Sequence, residues 1–335
     1  MKTDSSKNNI HMPITQNRKS FFKTLGLLGA GTLLSNTVFA KKDLLGSFES
    51  ERSVAPKRAV RVAHLTDIHV SKGRVPEFGM AKVLNEVNTL LDKPDFIMNG
   101  GDAIMNAATI SLSHHKQQWN VFNTILTNEN SLPVKHCIGN HDIFSWALPD
   151  KDHAIEKDRT LHEYGLKKSY YSFSKNGWHF IVLDSIHGRK SIPGYYGKID
   201  DEQFAWLENE LSNTPQEMHV CIISHIPILA ICVLFDSTNN SNNNWSVPDN
   251  ALHADADKLT ALFYKYKNVK ACLSGHIHLI DHVNYLGIDY YCNGAVSGSW
   301  WKGDYKQFAP SFSLMNFYED GTTKRENHFY SWKEV

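Results

Sequence analysis

Apolar runs in this chain end, one after another, in aspartate and histidine. Arg58 to Leu65 stops at Thr66-Asp67-Ile68-His69, Phe96 to Met98 opens into Asn99-Gly100-Gly101-Asp102, and Leu132 to Ile138 closes on Gly139-Asn140-His141-Asp142. Farther on, Met218 to Ile223 runs into Ser224-His225-Ile226-Pro227, and Asn268 to Leu273 into Ser274-Gly275-His276-Ile277-His278. Short apolar runs bounded by polar groups read as buried strands. Packing does not explain the polar groups at their ends, because ionisable side chains are costly to bury without a partner. In an open α/β sheet ligands bind outside the carboxyl ends of the strands, so groups far apart in sequence can meet there.

Helical spacing fills the gaps between the first three runs. Met80, Val83, Leu84, Val87, Leu90 and Leu91 share one face and Pro94 ends the pattern; Ile110 to Asn128 repeats it with Trp119, Phe122, Ile125 and Leu126. The 35 residues from Asp67 to Asp102 and the 38 from Asp102 to Asn140 leave room for a crossover helix each time. Lys175-Asn176-Gly177 predicts a hairpin between Ser169–Phe173 and Trp178–Leu183, and Asp200 is placed to cap a helix running to Leu211. Val283 to Leu286, Ile288 to Cys292 and Ser311 to Phe317 read as a closing antiparallel set. The asparagine-rich stretch 236–250 cannot bury enough apolar surface to order itself. It is expected to be a surface loop or a flap over the site.

Length and charge narrow the classes. The 335 residues carry 35 Lys plus Arg against 35 Asp plus Glu, so no global basic field points to nucleic acid, and any anion must be gripped locally. Lys2, Lys7, Arg18, Lys19 and Lys23 precede the apolar Leu25 to Phe39, which is too short to span a bilayer comfortably, and the small-residue stop Val38-Phe39-Ala40. Residues 1–40 are therefore read as an export signal, 41–57 as a linker and 58–335 as one domain. The product is expected in the periplasm or secreted, with membrane contact only through the export segment. Arg18-Lys19 resembles a twin-arginine signal with its second arginine replaced, which leaves the route open. The five cysteines, an odd number lying in or beside apolar runs, read as buried thiols.

Collected in order, the strand ends offer oxygens from Asp67, Asp102 and Asn140 and imidazoles from His69, His225, His276 and His278. That mixed set suits iron, manganese or zinc better than calcium or magnesium, which take oxygen throughout. His114, His115, His153, His162, His253 and His328 end no apolar strand and read as solvated or core histidines.

The ordered motifs D-x-H, G-D, G-N-H-D, a lone strand-end histidine and G-H-x-H resemble the calcineurin-like metallophosphoesterases over roughly Arg58 to Ala295. The resemblance implies a four-layer α-β-β-α sandwich of two mixed sheets, with a dinuclear centre of divalent or mixed-valence iron, manganese or zinc. By the same resemblance Asp67, His69 and His278 bind one metal, Asn140, His225 and His276 the other, and Asp102 bridges them. Hydroxide formed between the metals attacks phosphorus in line while His141 assists the leaving oxygen and Asp142 orients His141.

Met105 stands where a purple acid phosphatase carries a tyrosine ligand, and Ala103-Ile-Met-Asn106 lacks the Asp-Arg-Gly signature of protein phosphatases. The large second domain of the secreted nucleotidases is not expected. What remains looks like the small phosphodiesterase-type members, which include cyclic-nucleotide phosphodiesterases, acting on mono- or diesters of small molecules. Trp300, Trp301 and Lys302, in a glycine-bearing segment, are candidate substrate contacts, and His187 is a weaker one. A catalytically silent metal-binding interaction protein and a nuclease of the same fold are the competing readings. The oligomeric state is left open.

Overall fold

Strand and helix alternate at the start of the fold, as the spacing predicts. The computed structural model describes residues 56–146, 153–189, 194–236, 240–241 and 244–332. Strand β1 (Arg58–Leu65) leads through helix α1 (Arg74–Thr89) to β2 (Phe96–Asn99), and through α2 (Leu112–Glu129) to β3 (Val134–His136). Helix α1 begins six residues earlier than the apolar spacing suggests, because Val75-Pro76 falls in its first turn, where proline's missing N–H costs little. Ser111 caps α2, accepting a bond from the His114 amide at 3.3 Å.

Helix α3 (His153–Tyr164) was not signalled by the sequence pattern. It precedes the hairpin of β4 (Tyr171–Lys175) and β5 (Trp178–Val182), whose turn residues Asn176 and Gly177 take φ of 45° and 81°. A small ribbon of β6 (Ile186–Gly188) and β7 (Tyr195–Gly197) follows, then α4 (Asp201–Asn213), capped by Asp200 through the Gln203 amide at 2.8 Å. The rest comprises β8 (His219–Ile223), the two-residue pair β9 (Asn240–Ser241) and β10 (Asn244–Trp245), α5 (Ala256–Lys265), β11 (Val269–Ser274), β12 (Asp281–Tyr285), β13 (Ile288–Cys292), β14 (Ser311–Tyr318) and β15 (Thr323–Phe329).

Two mixed sheets result. The first has the order β15-β14-β1-β2-β3, the second β12-β13-β11-β8-β5-β4. In the second sheet the parallel strands lie inside, flanked by antiparallel β12 and β4; in the first, parallel β1, β2 and β3 run to one edge and antiparallel β14 and β15 complete the other side. Period-two alternation decides the layers. Val60, Val62, Phe96, Met98, Met315 and Phe317 face Trp178, Phe180, Val182, Cys221, Ile223 and Leu273 across the middle. The opposite faces carry Ala63, Leu65, Ile97 and Leu314 against α1 and α2, and Ile181, Val220, Ile222 and Cys272 against α4 and α5. This is the α-β-β-α sandwich.

All five cysteines are buried and free. No helix among the described residues is long and apolar enough to cross a membrane. The export signal at 1–40, nearly all of the 41–57 linker, and 237–239 and 242–243 of the asparagine-rich loop lie outside the described residues. Residues Ala55–Val335 form one compact unit.

Candidate metal centre

Each candidate ligand sits where a parallel strand has just ended and the backbone must turn sharply. Asp67, His69, Asp102, His276 and His278 all adopt left-handed backbone, with φ of 55°, 50°, 54°, 70° and 61°. A left-handed L-residue costs roughly 1–2 kcal/mol. Such strain persists where the surroundings over-determine it, and it clusters at functional sites. Here the over-determination is visible. The loop after β1 is laced to the loop after β2 by Asp67 N to Gly101 O at 3.0 Å, His69 N to Asp102 O at 2.9 Å and Val70 N to Ala103 O at 2.9 Å. Two glycines permit the close approach: a Cβ on Gly139 would fall 2.1 Å from Asp102 Oδ1, and one on Gly275 would fall 2.4 Å from Asp67 Oδ2.

Among the described residues, three groups of side chains able to hold a metal ion result: Asp67, His69 and His278; His69, Asp102 and His141; and Asp102, His225 and His276. His69 Nε2 stands 3.1 Å from His278 Nε2, and His278 Nε2 is 3.4 Å from Asp67 Oδ1. Asp102 Oδ2 lies between the halves, 3.7 Å from His69 Nε2 and 3.3 Å from His225 Nε2. Its other oxygen is already used, accepting the His141 amide at 2.7 Å. Asp67 Oδ2 accepts from Thr66 Oγ1 at 2.7 Å and from the His276 amide at 2.9 Å, an amide it shares with Oδ1 at 3.2 Å, while Oδ1 also lies toward His278.

The imidazoles are held by their far nitrogens. His225 Nδ1 donates to Gly100 O at 2.8 Å, His278 Nδ1 to Gly298 O at 2.6 Å, and His276 Nε2 to Asn250 O at 2.8 Å. A hydrogen bond at one ring nitrogen sets which nitrogen is left to coordinate. His225 Nε2 and Asn140 Oδ1 are buried without a hydrogen-bond partner, which native proteins rarely tolerate unless another group satisfies them. A cation between the strand ends would satisfy both atoms.

Buried carboxylates and imidazoles compensate one another here. Burial alone would raise the carboxyls of Asp67 and Asp102, yet neighbouring His278 and His225 hold both below the ordinary carboxylate range. Burial likewise disfavours charge on His225, but Asp102 outweighs it and pushes the imidazole up to about 9. His276 goes the other way, lowered by burial to about 4, and burial lowers His69 too.

His141 stands over this centre, its ring centroid 4.6 Å from that of His69 in an edge-on arrangement. Its Nδ1 donates to the Met105 carbonyl at 2.6 Å, which leaves Nε2 free. This corrects the role expected of Asp142. The Asp142 carboxylate accepts bonds from the amides of Gly139 at 2.8 Å, Asp102 at 3.1 Å and Ala103 at 2.8 Å, and from the Tyr164 hydroxyl at 2.9 Å. Asp142 thus ties the G-N-H-D turn to the G-D turn, and the backbone of Met105 orients His141.

The tryptophans divide. Trp301 is buried, packed against Gly79 of α1, with Nε1 donating to His69 O at 2.9 Å, so it cannot contact substrate as expected. Trp300 does border the centre, its ring centroid 4.4 Å from His278 and 5.8 Å from His69. Lys302 is exposed. His187 packs on Tyr196 with centroids 4.9 Å apart, and no described contact joins it to the ligand set. The asparagine-rich loop touches the centre at one described point, the Asn250 carbonyl on His276.

Sequence reasoning missed several supporting groups. Ser297 donates its amide and hydroxyl to Asp67 O, and Tyr164 anchors Asp142. His253, read as an uninvolved histidine, bridges Ser224 Oγ and Asp255 Oδ1 at 2.9 Å each, behind His225. No local motif in the sequence marks any of them.

The chain is similar in sequence to several known phosphodiesterases. A cyclic-nucleotide phosphodiesterase of Nostoc sp. is 29% identical over 213 residues, covering 61% of this chain and 73% of its own length. The cyclic AMP phosphodiesterase CpdA of Escherichia coli is 22% identical over 82% of this chain and 91% of its own. A probable glycerophosphodiester phosphodiesterase of Arcobacter nitrofigilis is 24% identical over 66% and 72%. Among solved structures, a dimetal phosphatase of Danio rerio superposes with a TM-score of 0.58 over 82% of this chain and all of its own, at 14% identity, which speaks to the fold. The calcineurin-like phosphoesterase model matches residues 60–279, the stretch from the first strand to the last candidate ligand. With its strand-end aspartates and histidines facing one another across two sheets, this chain belongs to the calcineurin-like phosphoesterase family and is an enzyme of the metallophosphoesterase class.

Proposed function

We propose that the protein hydrolyses phosphodi- or phosphomonoester bonds of small molecules at a two-cation centre. Asp67, His69 and His278 hold one cation, Asn140, His225 and His276 the other, and Asp102 is shared. The observation that carries this reading is the placing of a single Asp102 oxygen within 3.7 Å of His69 and 3.3 Å of His225. The nitrogen-rich donor set favours two ions of iron, manganese or zinc. Such a pair, when bound, neutralises phosphoryl oxygens and lowers the pKa of water for in-line attack.

The remaining work falls to the chain. Asp102 and Asp67 supply the negative charge that retains the cations, while the backbone acceptors Gly100, Gly298 and Asn250 fix the imidazoles. With Nδ1–H committed to Met105 O, His141 presents its other nitrogen to the departing oxygen, and in its doubly protonated form it gives that oxygen the Nε2 proton and is left neutral. Half-buried Trp300 sets an aromatic ring beside the first half, suited to a flat substituent of the ester such as a nucleobase, the leaving atom itself being the ester oxygen.

The relatives named for cyclic nucleotides and glycerophosphodiesters support small diesters as the substrate class. The N-terminal segment supports action in the periplasm or outside the cell, checked by sequencing the mature amino terminus. The function is tested by assaying bis-4-nitrophenyl phosphate, cyclic nucleotides and glycerophosphodiesters with added manganese or zinc, with metal content determined on the same sample. Hydrolysis that tracks metal content is expected. A protein that binds cations but turns over none of these esters would favour the silent binding reading.

A further inference from the structure

All three groups assigned to the first cation lean on one short stretch of chain. Ser297 donates to the Asp67 carbonyl twice, from its amide at 3.2 Å and its hydroxyl at 2.8 Å. Trp301 Nε1 donates to the His69 carbonyl at 2.9 Å, and the Gly298 carbonyl accepts from His278 Nδ1 at 2.6 Å. None of the described bonds of this stretch reaches Asn140, His225 or His276, and the two imidazoles are held instead by Gly100 and Asn250.

The stretch is itself well anchored. Trp301 N bonds Ser297 O at 2.9 Å, Gly298 N bonds Ala295 O at 3.1 Å, and Val296 N bonds Thr66 O at 3.0 Å. The Trp301 ring fills a space that a Cβ on Gly79 would invade, falling 2.1 Å from the indole. Asp67 and His69 are held at φ of 55° and 50°, so their carbonyls need fixed donors to stay in place. The Ser297 hydroxyl and the Trp301 indole are those donors.

We propose that Ser297–Trp301 is a clamp that positions the Asp67, His69 and His278 half of the centre, with Ser297 and Trp301 as positioning residues for that half alone. The proposal rests on the two-cation reading above. Loss of a group that orients a ligand typically lowers metal affinity 10–100-fold. Because the clamp touches one half, the loss falls on one of the two cations.

The test uses the full chain and the variants Ser297→Ala and Trp301→Phe, equilibrated in manganese or zinc buffers of graded free concentration, with bound metal counted by elemental analysis. Trp300, its ring 4.4 Å from His278, reports the first half, since bound manganese quenches a nearby indole. A Trp300→Phe control identifies that part of the signal. The expected result is a binding step shifted about 10-fold or more to higher free cation in Ser297→Ala, coinciding with the Trp300 signal, while the other step keeps its wild-type midpoint. Ser297→Ala removes one hydroxyl and is the deciding variant; Trp301→Phe adds weight only where its thermal midpoint without metal equals that of the wild type. Wild-type midpoints at both steps in Ser297→Ala would overturn the clamp, as would an equal loss at both steps. A wild-type protein that binds no cation would overturn the two-cation reading itself, a different outcome from either.

Discussion

Asp142→Asn separates two roles that the G-N-H-D motif allows its last residue. The carboxylate receives Gly139 N, Asp102 N and Tyr164 Oη on Oδ2, and Ala103 N at 2.8 Å with a longer contact from Ile104 N at 3.4 Å on Oδ1. An asparagine can keep only one acceptor oxygen. The less costly orientation places its NH2 on the Oδ1 side, where it meets the Ala103 and Ile104 amides donor to donor. An orphaned buried amide costs about 1–3 kcal/mol, and the remaining bonds lose their charge assistance, so a total of about 2–5 kcal/mol is expected. For a domain of this size that corresponds to a fall in thermal midpoint on the order of 10 °C. The measurement belongs at pH 8, because burial, reinforced by Asp102, pushes the Asp142 carboxyl up to about 7. Thermal or urea unfolding of metal-loaded wild type and variant, beside turnover of the same samples, makes the comparison. If Asp142 instead oriented His141, the variant would unfold like wild type and lose turnover alone. That result would refute the assignment of Asp142 to the backbone of the neighbouring turn.

His141→Asn should lower turnover roughly a hundredfold or more while both cations remain bound, as read by elemental analysis. His141 also lies within ligand reach of His69 and Asp102, so a loss of metal in this variant would make it a ligand rather than a proton donor. Stability should fall in mild acid. Burial lowers His64, His115 and His136 to about 4 in the folded protein, whereas their unfolded values lie near 6.5. The stability they contribute is therefore present above pH 6.5 and is lost as pH falls toward 4. Urea midpoints at pH 7.5 and pH 5 test the sign, and a higher midpoint at pH 5 would contradict it.

The order of the candidate ligands was legible because each follows an apolar strand, and strand ends in a parallel sheet share one edge. The hairpin at Asn176-Gly177 and the Asp200 cap were legible for a similar reason, since short-range backbone chemistry decides them. What could not be read were contacts between loops. Asp142 meets amides about 40 positions away, and nothing local distinguishes that partner from the adjacent His141. The tandem tryptophans looked alike in sequence, yet Trp300 and Trp301, at φ of 48° and 65°, put one ring beside the ligands and the other into the core. His253 was set aside because it ends no strand, and it enters through the turn that follows β10. Helix α3 has a mixed face whose partners come from distant loops, so its periodicity was weak.

The most direct test of the shared carboxylate is the metal content of Asp102→Ala beside that of the wild type, measured on samples assayed for diester hydrolysis. Two cations per chain in the wild type, and the loss of both together with hydrolysis in the variant, is the predicted result. Hydrolysis that survives a verified loss of metal, or a variant that keeps both cations, would contradict it.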